Sequence, residues 1–237
     1  MERRKSFLSW IENAKRMAAL EAIKHVKDGF VIGLGSGSTV AYAIMELGNM
    51  IKRKEINVFG VPSSFQAMEL AVKYGVPLTS LDEYPELDLT IDGADQVDSK
   101  LNLIKGGGAA LTREKIIASA SKELIIVVDA RKISKKLGGK TPVPVEVLPF
   151  AKQPIIKKIE QLGYKPKLRY GSGKVGPLIT DNGNFIVDIY VNEIENPKEL
   201  ELTLKIIPGI VEVGLFVDMA DIVYVGHERS VECLRRK

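Results

Sequence analysis

Apolar and polar positions along the chain fall into two rhythms. Between residues 11 and 26, Ala14, Ala18, Ala22 and Val26 recur at the helical period with Lys and Glu between them, which predicts an amphipathic helix. Asp28-Gly29 ends it. The unbroken apolar run over 30–34 predicts a buried strand, and a Gly/Ser segment leads into a helix over 39–47. The same order continues with a strand at 56–59, a helix at 65–74, strands near 78 and over 89–91, a helix after Gly108 and a strand at 124–128. Strands alternating with helices in this way predict a mostly parallel sheet flanked by helices.

The rhythm changes at Gly138-Gly139 and the Pro-Val alternation of 142–147, which predicts a hinge running into an exposed strand. A helix over 151–162 and strands at 167–170, 178–180 and 185–191 are expected next, with Asp181-Asn182-Gly183-Asn184 forming a type I′ hairpin turn. A helix over 197–206 and a strand at 210–213 complete a βαββαβ order, the pattern of a small α+β ferredoxin-like module. The run at 221–225 predicts a strand returning to the first sheet. The expected domains are therefore 1–141 with 218–237, and 142–217.

Composition narrows the partners. Of 237 residues, 34 are Lys or Arg and 30 Asp or Glu, a net charge of +4 that is far too small to make nucleic acid the expected partner. A small anion fits better. The single cysteine, Cys233, allows no disulfide framework and no cysteine zinc site within one chain, which predicts a reducing compartment. The longest apolar runs are strand-length, too short to cross a bilayer as helices, and no export signal is apparent, so a cytoplasmic protein without a membrane partner is expected. His25 and His227 lie outside every motif and read as structural or surface residues, and Arg235-Arg236-Lys237 as solvated charge.

Three segments carry candidate chemistry. Gly33-Leu34-Gly35-Ser36-Gly37-Ser38-Thr39 joins a buried strand to a helix start, where backbone N–H groups can face a phosphate; a structural turn with a capped helix is the alternative. It lacks the Lys of a Walker loop, and Ser38 stands at the third glycine of the dinucleotide fingerprint. Asp92-Gly93-Ala94-Asp95 follows a strand, so its carboxylates emerge at a sheet's carboxyl edge. There they suit acid/base work, turn capping, pairing with a cation or a weak magnesium site. Lys105-Gly106-Gly107-Gly108 sets an ammonium beside backbone unobstructed by side chains, suited to an oxygen-bearing ligand or to a flexible loop. Glu114, in the helix that follows, reads as a base or as an ordinary solvated helix residue.

Taken together, Gly35-Ser36-Gly37-Ser38-Thr39, Asp92-Gly93-Ala94-Asp95, the run from Lys105 to Lys115 and Thr180-Asp181-Asn182-Gly183-Asn184 resemble type A ribose-5-phosphate isomerases, and the likeness extends to Pro208-Gly209-Ile210-Val211. The resemblance implies a Rossmann-like sheet with a smaller ferredoxin-like domain, and an aldose-ketose isomerase acting on ribose 5-phosphate and ribulose 5-phosphate in the non-oxidative pentose phosphate pathway. It implies Glu114 as general base, Asp92, Asp95 and Lys105 as active-site groups, and Lys15 and Lys132 as basic positions near the substrate. Ser36, Gly37, Ser38, Thr39, Gly106, Gly107 and Gly108 are the expected substrate-binding residues. No metal or cofactor is implied, and a homodimer or homotetramer is. The chain departs from the family pattern at Ser36, commonly Thr, and at Gln96, commonly Glu. A non-enzymatic phosphosugar sensor and an acyl- or coenzyme A-transferase are the competing classes; no segment is left for a helix-turn-helix effector domain, and the phosphate loop paired with Asp-Gly-Ala-Asp disfavours the transferase.

Overall fold

A computed structural model describes residues 2–173 and 175–236, so Lys237 of the C-terminal basic run, and the outer limits of the first expected domain, lie outside the described residues. In chain order the elements are α1 (Glu2–Ile23), β1 (Val31–Leu34), α2 (Val40–Lys52), β2 (Phe59–Pro62), α3 (Phe65–Tyr74), β3 (Leu89–Asp92), β4 (Gln96–Val97), β5 (Leu103–Ile104), α4 (Leu111–Ser119) and β6 (Leu124–Asp129). They continue with β7 (Leu137–Gly138), β8 (Val143–Val147), α5 (Lys152–Gln161), β9 (Lys165–Leu168), β10 (Phe185–Tyr190), β11 (Glu193–Ile194), α6 (Pro197–Lys205), β12 (Ile210–Val213), β13 (Leu215–Phe216), β14 (Ile222–Gly226) and β15 (Val231–Arg235). No helix among the described residues is long and apolar enough to cross a membrane.

Two compact units emerge. The first runs to Ala94, takes up Arg113–Ile133 and resumes at Met219; the second comprises Asp95–Thr112 and Ser134–Asp218. This division differs from the expected domains in giving residues 95–112 to the second unit and in moving the later boundary from 141 to 133. The reason is pairing: β5 bonds to β13 and β4, and β7 bonds to β11, so these short strands pack with the later chain.

The first unit is a six-stranded sheet ordered β15-β14-β6-β3-β1-β2, parallel throughout except for the β14–β15 pair. Its central strands β1, β3, β6 and β14 are buried end to end, which is why β1, β6 and β14 read as largely apolar runs, while β3 also buries Thr90 and Asp92. The predicted face of α1 is buried at Ala14, Ala18 and Ala22, and small residues there let the helix approach closely: a Cβ on Gly226 would lie 2.0 Å from the Ala14 carbonyl oxygen. His25 is structural, its Nε2 lying 2.8 Å from the Tyr224 hydroxyl. Expected strand 56–59 is displaced to 59–62, because Ile56 and Val58 enter the core before pairing with β1 begins at Val31↔Phe59. The edge strand β15 escaped prediction, since Glu232 and Arg235 interrupt its short apolar pattern.

The second unit contains the βαββαβ module, β8-α5-β9-β10-α6-β12, with an antiparallel sheet ordered β12-β8-β10-β9. Its core gathers Val143, Val145, Ile155, Ile159, Val187, Ile189 and Leu204. The expected exposed strand at 142–147 is instead fully buried and lies inside this sheet. Pro144 survives there because Gly214, opposite it, donates its N–H to the Pro144 carbonyl at 2.7 Å, while the carbonyl of Gly214 takes its donor elsewhere, from Lys105 N–H at 2.9 Å. The missing N–H of the proline thus frees an acceptor for Lys105. The predicted turn at 181–184 forms, yet of its residues only Gly183 has positive φ, at 80°. Gly183 N–H bonds to Thr180 C=O and Thr180 N–H to Asn184 C=O, a three-residue loop with the glycine at its left-handed position rather than a type I′ turn.

Candidate active site

In the first unit the parallel strands end in a row of polar groups. β1 and β2 are neighbours, and the chain then returns to the other side of β1 as β3, so the β1/β3 boundary is where the direction of winding reverses and a crevice opens at the carboxyl edge. Asp92 ends β3 at 1% exposure. Its Oδ1 accepts from Ser36 N–H at 3.1 Å and from Gly93 N–H at 2.7 Å, and Gly35 N–H bonds to Ile91 C=O at 2.9 Å. The two loops are therefore stitched together across the reversal. A Cβ at Gly35 would sit 2.1 Å from Asp92 Oδ1, so only glycine lets the loop close on this carboxylate.

The Gly/Ser loop is also tied to β2. Ser36 Oγ donates to Ser64 Oγ at 2.6 Å and lies 2.9 Å from Ser63 Oγ, while Gly37 N–H donates to Gln66 Oε1 at 2.9 Å. Ser64 in turn caps α3 by accepting from Ala67 N–H. Helical bonding in α2 begins with Ala41 N–H to Gly37 C=O at 3.1 Å, so the N–H groups just before Ala41, those of Ser38 and Thr39 among them, have no carbonyl one turn back to meet. Ser38 is exposed and Thr39 half-buried. Of the expected phosphate residues, Ser38 and Thr39 thus offer backbone donors at a helix start, whereas Ser36 and Gly37 hold the loop in shape. Sequence reading missed Ser63, Ser64 and Gln66. The signal was present as a second strand-turn-helix step, Val61-Pro62-Ser63-Ser64, obscured by the misplaced strand before it.

Glu114 lies in the first turn of α4 and is 5% exposed, not a solvated helix residue. Ile117, one turn later, sits against β1, where a Cβ on Gly33 would lie 2.4 Å from Ile117 Cγ2. Further on, Ser121 Oγ lies 2.6 Å from Thr90 Oγ1 and Ala120 C=O accepts from Leu87 N–H, so the far end of α4 meets the entry to β3. The helix therefore runs against the strand direction and raises Glu114 about 4.5 Å from Ile117 toward the carboxyl edge. Arg113 stacks its guanidinium 5.4 Å from the Phe65 ring centroid at the start of α3, which fixes the same end of the helix.

Two lysines complete this unit's candidates. Lys15 Nζ pairs with Glu12 Oε1 at 2.7 Å, and Glu12 Oε2 accepts from the Tyr42 hydroxyl at 2.8 Å. The bonds from Lys15 and Tyr42 hold the Glu12 carboxyl below the usual range, and the same contact raises the Tyr42 phenol. Lys132 is half-buried and ends a short 3-10 turn that leaves β6 at Asp129. Asp129 accepts from Arg131 Nε at 2.7 Å and Arg131 Nη2 at 3.0 Å; burial pushes its pKa up, but the guanidinium outweighs that and holds it below the usual range.

In the second unit, Lys105 directly follows β5 at 2% exposure, its Nζ 5.3 Å from the Phe216 ring centroid. The glycine triplet follows, and Gly107 N–H donates to Asp95 Oδ2 at 2.6 Å. A Cβ at Gly107 would meet the Asp95 carboxylate at 2.6 Å, whereas nothing lies within 4 Å of one at Gly108. Gln96 makes both halves of an amide pair, Nε2 to Gly138 C=O at 3.2 Å and Oε1 from Gly138 N–H at 2.8 Å. An ionised glutamate accepts but does not donate, so Gln96 supplies one bond that the commoner residue lacks.

The Thr180–Asn184 loop has a role that sequence reading did not assign. It encloses Glu146, a fully buried carboxylate on β8, whose Oε1 accepts from Thr180 Oγ1 at 2.9 Å, Asn184 Nδ2 at 2.8 Å and Asn182 Nδ2 at 3.1 Å. Oε2 accepts from Thr112 Oγ1 at 2.5 Å, next to the start of α4. Among the described residues no three His, Cys, Asp or Glu side chains converge as they would to hold a metal ion.

The family profile of ribose 5-phosphate isomerase A (phosphoriboisomerase A) matches residues 59–230. The chain is 50% identical over 217 residues to a ribose-5-phosphate isomerase A of Thermosynechococcus vestitus, covering 91% of this chain and 92% of that protein. It is 49% identical over 227 residues to the Pyrococcus abyssi protein of the same description, covering 95% and 99%. The solved ribose 5-phosphate isomerase A of Methanocaldococcus jannaschii superposes with a TM-score of 0.91 at 48% identity over 94% of this chain and 99% of that one. A D-ribose-5-phosphate isomerase solved with phospho-erythronic acid superposes with a TM-score of 0.93 at 49% identity over 95% and 99%. With a profile matching residues 59–230 and relatives about half identical to it over 91% and 95% of its length, the chain belongs to the ribose 5-phosphate isomerase A family.

Proposed function

We propose that the chain interconverts D-ribose 5-phosphate and D-ribulose 5-phosphate through a cis-enediolate, with Glu114 as the single base. The observation that carries this reading is the buried Glu114, raised on α4 to the edge of the first unit where the Ser36 loop is stitched to Asp92. The isomerisation moves a hydrogen between adjacent carbons. Glu114 takes the proton from C2, and the C2–H electron pair forms the C1–C2 double bond as the C1=O π pair moves onto O1. Once the O2 hydroxyl proton has passed to O1, the same carboxyl returns its proton to C1 on the same face as C2=O forms. A base held about 3 Å from both carbons serves both steps.

Each remaining group answers a need of that chemistry. The charge developing on O1 and O2 requires fixed positive charge and N–H donors, the roles assigned to Lys105 and to Gly106, Gly107 and Gly108. Opening the furanose requires proton transfer to the ring oxygen and from the anomeric hydroxyl, assigned to Asp92 and Asp95. The phosphate is assigned to the N–H groups and hydroxyls of Ser38 and Thr39 at the start of α2, with Lys15 and Lys132 as cations, and with Ser36 and Gly37 shaping the loop. Phosphate binding far from the reacting carbons is thereby turned into positioning. The aldonate phosphate bound by the solved relative has this form, an anionic oxygen group at one end and a phosphate at the other. No metal or cofactor enters the scheme, and a cytoplasmic homodimer or homotetramer is its expected setting.

The test is an assay of purified protein in excess chelator. Ribose 5-phosphate is expected to become its ketose, and Glu114→Gln to bind sugar phosphate while turning over at least ~100-fold more slowly. Unchanged turnover in that variant rejects Glu114 as the base.

A further inference from the structure

We propose that Arg169, held by Asp188, is a positioning residue that aims the N–H of Gly108 at the developing oxyanion, an inference resting on the isomerase reading above. Arg169 follows β9, and Asp188 lies on the adjacent β10. Its Nε donates to Asp188 Oδ2 at 2.8 Å and its Nη2 to Asp188 Oδ1, a bidentate pair with side chains only 15% and 11% exposed. With its charge matched by Asp188, the guanidinium turns its remaining face to backbone. Nη1 donates to the carbonyl of Gly106 at 2.8 Å and to that of Gly107 at 3.1 Å.

These two bonds dictate where the next N–H groups point. In a trans peptide the C=O and the following N–H face opposite ways. Arg169 holds the Gly106 carbonyl, so Gly107 N–H faces away from the guanidinium, where it meets Asp95 Oδ2 at 2.6 Å. Arg169 also holds the Gly107 carbonyl, so Gly108 N–H is turned away from it in turn, and the space around the Gly108 Cβ position is open for 4 Å. Gly106 adopts φ 99°, a conformation that a side chain would resist. Successive N–H groups turned from one cation make an anion-binding concavity. A carbonyl that accepts from a guanidinium is polarised, and the N–H of the same peptide becomes a stronger donor. Lysine carries the charge but not the fork that holds Asp188 and two carbonyls together.

The experiment compares wild type, Arg169→Ala, Arg169→Lys and Asp188→Asn in full-length protein. It measures turnover of ribose 5-phosphate, inhibition by 4-phospho-D-erythronate as an enediolate mimic, inhibition by inorganic phosphate, and thermal midpoint. Removing an oxyanion donor's support predicts a fall in kcat of ~30-fold or more for Arg169→Ala, with KM within about threefold. The inhibition constant for phospho-erythronate should rise in parallel while that for inorganic phosphate stays level. Arg169→Lys and Asp188→Asn should show the same split at smaller size. A kcat within twofold of wild type in Arg169→Ala overturns the inference. So does a loss in which KM and phosphate inhibition move as far as kcat. If Arg169→Ala does not fold, the two milder variants decide by the same split, and normal kcat in both rejects the role. Wild-type protein that fails to isomerise, or Glu114→Gln that turns over normally, defeats the isomerase reading itself; normal controls with an indifferent Arg169 defeat only this step.

Discussion

The two units hold their candidate groups by different means. In the first, the candidate groups sit at strand ends and helix starts, and their partners are backbone N–H groups or side chains of adjacent loops: Asp92 with Ser36 and Gly93, Ser36 with Ser63 and Ser64, Asp129 with Arg131. In the second, the glycine triplet and the start of α4 are fixed by side chains that come from elsewhere in the chain, Arg169 to Gly106 and Gly107 and Glu146 to Thr112. A parallel sheet lines up its strand ends at one edge without further help. Short antiparallel strands and a run of three glycines provide no such alignment, and side-chain clamps replace it.

The largest expected effect tests the first arrangement at its tightest point. Gly35→Ala places a methyl group 2.1 Å from Asp92 Oδ1, where backbone and carboxylate cannot both stay. A displacement of about 1 Å at a reacting group costs on the order of 100-fold in rate, so kcat/KM should fall by that factor while the sheet, paired on both sides of β1, keeps its thermal midpoint within a few degrees. If kcat/KM is retained, the close approach of loop and carboxylate is not needed for activity.

Glu146→Ala tests the second arrangement, and its main effect is on stability. The change strands the hydroxyls of Thr112 and Thr180 and the amide of Asn184 with no acceptor in a buried site. Leaving buried donors unmet costs about 1–3 kcal/mol each before relaxation, so a loss of roughly 3 kcal/mol in denaturant unfolding is expected. Glu146→Gln, which keeps one acceptor oxygen, should lose less. A variant as stable as wild type means that water meets these donors and that the clamp contributes nothing.

How much could be read in advance follows the same division. The parallel sheet, the ferredoxin-like βαββαβ order and the strand-turn-helix at Gly35 were legible because each is written in adjacent residues with a fixed period. Asp92 and Glu114 stand out as candidates with their motifs, although nothing local reveals that Glu114 is buried, because burial depends on Gly33 admitting Ile117. The clamps were not legible. Arg169 is one cation just after a short, half-exposed strand, with its backbone acceptors more than sixty residues earlier. Glu146 lies in a Pro-Val alternation that reads as an exposed edge, and it is interior only because Pro144 is accommodated opposite Gly214. The Asn-Gly pair predicted a hairpin but could not reveal that its amides face a buried carboxylate.

The smallest expected effect sharpens the comparison from the acid side. Asp129 is a strand-end carboxylate held by a partner two residues away, and its pKa is depressed because the Arg131 guanidinium outweighs the cost of burial. A carboxyl depressed in the folded state is more readily protonated when unfolded, so the unfolded state binds more protons as pH falls. The contribution is complete above the ordinary carboxylate range, near pH 4, and is lost as pH drops through the folded value. Asp129→Asn should therefore be less stable than wild type at neutral pH, and the gap should narrow below about pH 4. Urea unfolding at a series of pH values reads this directly. Curves that stay parallel down to acid show that the Asp129–Arg131 pair adds no net stability to the turn carrying Lys132.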